Sequence, residues 1–183
     1  MANAPDIVSE FKTLIATGEV PRLGPQRRAD ALSVAEIDQK LIPWFKTAKI
    51  STQTQPLLRS AAFLWHDHLD ESHTLSQDIE TRDGSWLHGI MHRREPDYGN
   101  AKYWFRRVGE HGAFPRLAER VTELLKKDRP LGERLIDHGN WQSFAFIDDC
   151  ERAEQGKDAT LNATLRQIQA VEFDTLVEHI LSH

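Results

Sequence analysis

Residues 86–111, WLHGIMHRREPDYGNAKYWFRRVGEH, decide the fold. Apolar and aromatic side chains recur here at helical spacing: Tyr98, Ala101, Phe105 and Val108 fall on one face. The polar turn Glu95-Pro96-Asp97 separates two amphipathic halves. Asp97 suits the N-cap of the second half, because its carboxylate can accept from otherwise unbonded amides of the first turn. Gly109 and Gly112 suit its stop. The pattern predicts an αα-hairpin of helices over 85–94 and 97–108. Its apolar face should be buried, and Arg106 or Arg107 should be exposed or paired.

Working outward, the same periodicity predicts helices over 4–18, 34–42, 57–79, 114–127, 141–155 and 159–181. Ser33 with Glu36 reads as a capping box, Pro43 as an interruption, and Asp83-Gly84 as a turn. A short turn is expected around 131–135. No stretch sustains the period-two alternation of a half-buried strand. The expected fold class is therefore all-α: a single-domain bundle of antiparallel helix pairs over 1–183, with seven or eight helices. The hairpin should pack on the long helix 57–79.

Composition narrows the function classes. The 183 residues carry 39% hydrophobic and 28% charged side chains, enough for a real core. A net charge of -5 argues against general nucleic-acid binding, which needs a positive excess to neutralise phosphates. The single cysteine, Cys150, excludes an internal disulfide framework. No window approaches a membrane span, and the first residues do not read as a secretory signal. The expectation is a reduced, cytoplasmic protein with no membrane partner.

Two constellations carry chemistry. His88, His92 and Glu95 fall at i, i+4 and i+7 on one helix stripe. His66, Asp70 and His73 share a stripe on the preceding predicted helix. If the stripes face each other, imidazoles and carboxylates converge in one pocket as ligands for zinc or iron. The pair is spaced H-x-x-x-H but lacks the glutamate of the zinc-protease motif. The E-x-x-H spacing of di-iron bundles is absent too, although Asp70 stands three before His73. The bland alternative is a set of hydrogen-bonded interior histidines.

The second constellation is charge. Arg93, Arg94, Lys102, Arg106 and Arg107 oppose only Glu95 and Asp97, a local excess of +3, with Tyr98, Tyr103 and Trp104 interleaved. Guanidinium forks beside aromatic faces suit a carboxylate or phosphate. The candidate anion-binding residues are Arg93, Arg94, Lys102, Tyr103 and Arg106. Structural ion pairing is the competing use of the same charges. The expected function is a binding module, for a protein or a small anionic ligand, on this His- and Arg-rich hairpin. The alternative is a metal-dependent enzyme with a His/carboxylate site between two helices.

Gly89 in the first helix, with Ala101 and Phe105 in the second, resembles the pattern of tetratricopeptide-type helical repeats. It departs at His92, where such repeats carry tyrosine, and at Pro115, which displaces the closing proline. The resemblance covers residues 85–115, one repeat at most, and implies a helical hairpin with a binding role. Residues 88–107 also resemble segments of bacterial and fungal proteins of unassigned function, a likeness that implies no activity.

Overall fold

The computed structural model describes residues 6–182. In chain order it contains α1 (Ile7–Leu14), α2 (Val34–Thr47), α3 (Thr54–Trp65), α4 (Leu69–Ser76), α5 (Arg82–Arg94), α6 (Tyr98–Val108), α7 (Phe114–Leu124), α8 (Arg129–Leu135), β1 (Ile136–Asp137), β2 (Asn140–Trp141), α9 (Ser143–Gly156) and α10 (Ala159–Ser182). The fold is all-α. Its only sheet among the described residues is the two-stranded β1–β2 hairpin, closed by His138 and Gly139, both at positive φ as a two-residue hairpin turn demands. Trp141, expected as the first residue of a helix, is instead buried from β2.

The hairpin α5–α6 forms as expected. Asp97 caps α6 by accepting from the Asn100 amide at 3.1 Å. Ala101, Phe105 and Val108 are buried, Tyr98 is half-buried, and Arg106 and Arg107 are exposed. Gly89 lets the two helices close: a Cβ there would stand 2.8 Å from the Phe105 ring. Nothing in this packing identifies a tetratricopeptide repeat. Asp83 and Gly84 are not a turn but the first turn of α5, which starts earlier because the Thr81 hydroxyl accepts from the Gly84 amide at 3.1 Å.

The continuous helix expected over 57–79 does not exist. It breaks at 66–68 into α3 and α4, with Asp67 in the left-handed region at φ 64. The cause is tertiary. Asp67 accepts from the Arg28 amide and Nε at 2.9 and 2.8 Å and from Arg94 Nη2 at 2.5 Å. Two buried guanidinium groups offset the cost of leaving the helix.

Other boundaries moved for local reasons. The helix expected over 4–18 is Ile7–Leu14, and its first two expected residues lie outside the described ones. Beyond it, Asp30 accepts from the Gly18 amide at 2.6 Å and ties down the following loop. Pro43 does not interrupt α2. It sits inside the helix, and burial of Trp44 and Phe45 just after it offsets the roughly 3 kcal/mol an interior proline costs. The expected turn at 131–135 is α8, capped by Asp128 with Pro130 in its first turn. One contiguous apolar cluster runs from Phe11 to Ile180, and α10 packs against α1, α3, α7 and α9.

Candidate metal centre

Helices α4 and α5 position the histidines. In α5, Leu87, Ile90 and Met91 face the core, so His88 and His92, one turn apart, take the flank that meets α4. His73 comes from α4. The ligating nitrogens of His73, His88 and His92 all lie within 4.8 Å of one another. His88 and His92 are buried and His73 is half-buried. Ring centroids are 4.7 Å apart for His73–His88, 5.3 Å for His73–His92 and 4.7 Å for His88–His92.

The hydrogen bonds assign the tautomers. Glu95 Oε2 lies 3.2 Å from His92 Nδ1, so Nδ1 carries the proton and Nε2 is the acceptor nitrogen. Ser76 Oγ stands 3.2 Å from His88 Nδ1, closer than its 3.4 Å to the His73 carbonyl, and its hydroxyl can donate to that nitrogen. The proton of a neutral His88 then sits on Nε2, which faces His92. These two nitrogens face each other at 2.9 Å. Burial, reinforced by His92 and His73, pushes His88 down to about 3. Burial also lowers His92, against the pull of Glu95 and Asp97. The contact is an N–H···N hydrogen bond between the two rings, with His92 Nε2 accepting. Trp104 stacks on His88 at 3.9 Å and 23°, and Asn100 Nδ2 reaches within 3.0 Å of His92 Nε2.

No protein-family model, curated protein or solved structure matches this chain. The reading of the site rests on its own geometry.

Of the six candidate ligands, His73, His88 and His92 come together and Glu95 supports them from behind His92. His66 and Asp70 do not join them. The helix break turns His66 away: its Nδ1 accepts from the Leu32 amide at 3.1 Å, and its Nε2 is buried without a partner. Asp70 is exposed in the first turn of α4. The shared pocket expected for all four stripe histidines therefore contains three.

The five candidate anion-binding residues do not share a surface. Arg93 is buried and donates to Glu172 Oε2 at 2.5 Å and Oε1 at 3.2 Å, with its guanidinium 4.5 Å from the Phe146 ring. Arg94 is buried against Asp67 and the Leu64 carbonyl. Lys102 pairs with Asp148 on α9. Tyr103 is exposed, and exposed Arg106 lies over Phe144 at 5.4 Å. Arg93, Arg94 and Lys102 are met by carboxylates from distant parts of the chain, whereas Arg106 and Arg107 lie over aromatic rings.

A second cluster, Asp83, His111 and His179, has ligand-like spacing. His111 Nδ1 accepts from the Ala113 amide at 3.2 Å, so in the neutral ring Nε2 holds the proton and donates to Asp83 at 3.1 Å. A metal-bound imidazole instead donates from its far nitrogen. This cluster therefore reads as a hydrogen-bonded clasp between the α6–α7 loop and α5. Ser76 and Asn100 were not singled out in the sequence. Asn100 stands three residues after Asp97, a place that signals only helix capping.

Proposed function

We propose that this protein binds one divalent transition-metal ion, zinc or iron(II), through His73, His88 and His92. The carrying observation is the convergence of one ring nitrogen from each of His73, His88 and His92 within 4.8 Å of one another. His88 Nε2 and His92 Nε2 stand 2.9 Å apart. Tetrahedral zinc with bonds of about 2.0–2.1 Å needs nitrogens about 3.3 Å apart, so a few tenths of an ångström of opening admits it. Support comes from outside the coordination sphere. Glu95 on His92 and Ser76 on His88 fix ring orientation as the partners of metal-bound imidazoles do. The reading favours a metal-dependent enzyme over an interaction module, because Arg93 and Arg94, which would have anchored an anion-binding face, are held in buried ion pairs.

The test is elemental analysis of the full chain purified without a polyhistidine tag. We expect about one zinc or iron per chain in the wild type and its loss in His88→Ala and His92→Ala. His66→Asn should retain the metal. Sub-stoichiometric metal, together with no thermal stabilisation when zinc is added to chelator-treated protein, overturns the proposal.

A further inference from the structure

We infer that this centre is open: three imidazoles hold the ion, and a fourth position on the His73 side carries water that exchanges for a small monodentate anion, with Asn100 positioned to bond that ligand. The inference rests on the metal reading above. Among the described residues the converging ligand atoms come from His73, His88 and His92, and no carboxylate or thiolate joins them. Glu95 is directed to Nδ1 of His92, the nitrogen away from the ion. Three protein ligands and one solvent position are the pattern of reactive rather than structural zinc sites.

Access is one-sided. Trp104 lies flat against His88 and closes that flank, whereas His73 is only half-buried. Asn100 adds a directional feature. Its amide nitrogen now stands 3.0 Å from His92 Nε2. Once that lone pair is given to a metal, the amide loses its acceptor and is left at the rim, free to donate to an oxygen or nitrogen on the ion. The charge sign follows: a dication with three neutral imidazoles and one carboxylate leaves a net positive site. The Arg107 guanidinium, 5.2 Å from the Trp104 ring on the neighbouring flank, adds to it. An anion is attracted there, and a second cation is repelled.

The experiment replaces the native ion by cobalt(II) in the full chain and titrates with azide while the visible cobalt bands are followed. We expect a saturable change in band position and intensity. Asn100→Ala should bind cobalt at unchanged stoichiometry and weaken azide about tenfold, the loss of about one hydrogen bond. Glu95→Gln should weaken cobalt itself by roughly 10- to 100-fold and leave the azide response of the loaded protein in place. Stoichiometric cobalt with bands that azide does not move means a closed site and overturns this inference while leaving the metal reading intact. An azide affinity unchanged in Asn100→Ala overturns the role of that residue. Failure to bind cobalt at all overturns both.

Discussion

Asp67 carries two arginines, and neither is its neighbour in sequence. Arg28 is 39 residues before it and Arg94 27 residues after it, and the side chains of all three are 2% exposed or less. An ion pair so deeply buried contributes little net stability against a well-packed apolar replacement. Removing one partner, however, leaves a buried charge less well compensated where water cannot reach it, even with Arg28 still on Asp67. Arg94→Ala should therefore destabilise the chain by about 3–5 kcal/mol in urea unfolding. Its metal content should stay that of the wild type, because Arg94 touches Asp67 and the Leu64 carbonyl and none of the three histidines. A wild-type melting curve, or lost metal in a protein that melts normally, would show that Arg94 serves the site rather than the scaffold. Pairing was one expected use of these charges, but which carboxylate meets which arginine was illegible beforehand. The sequence left Arg93 and Arg94 between ion pairing and anion binding, because their partners, Glu172 and Asp67, lie 79 and 27 residues away. Sequence spacing reports neighbours on one element and says nothing of such distances.

At the scale of the element, the hairpin α5–α6 was the most readable part of the chain. Its apolar stripe, its Asp97 cap and its stop at Gly109 are all local. The same locality made His88 and His92 legible at i, i+4. The break between α3 and α4 was not, because the stretch Trp65-His66-Asp67-His68 contains neither glycine nor proline. It took the turn only through contacts with Arg28 and Arg94, and with it His66 left the expected set. Gly89 tests the hairpin itself. An alanine there gains about 1 kcal/mol of helix propensity. Its methyl group, however, would lie 2.8 Å from two ring carbons of Phe105, which is itself buried and has little room to retreat. Overpacking of this kind costs about 1–3 kcal/mol. We expect a net loss of stability for Gly89→Ala, and a smaller loss when Phe105→Leu is added. A stabilised single variant would contradict the close approach of α5 and α6.

Across the whole molecule, the neutral histidines couple folding to pH. His66 is the case separable from the metal centre. Burial, followed by nearby Arg28 and His68, holds it down to about 4 against an ordinary 6.5. Between those values the unfolded chain takes up a proton that the folded chain refuses. The unfolded state binds more protons, so stability rises with pH across this window. The contribution from His66 is complete above pH 6.5 and is lost as pH falls toward 4, to a total of roughly 3 kcal/mol. Asp67 acts in the same direction at lower pH: burial pushes its carboxyl up, but Arg94 and Arg28 more than offset this and leave it lowered. Urea unfolding of chelator-treated protein between pH 7 and 4.5 should show a steep decline. His66→Asn can still accept the Leu32 amide through its side-chain oxygen and has no proton to gain, so its decline should be shallower by about the His66 share. Parallel slopes in the two proteins would mean that His66 protonates as readily folded as unfolded. Its unpartnered Nε2 would then have to reach an acceptor on protonation, and the rigid turn at 66–68 would have to give way.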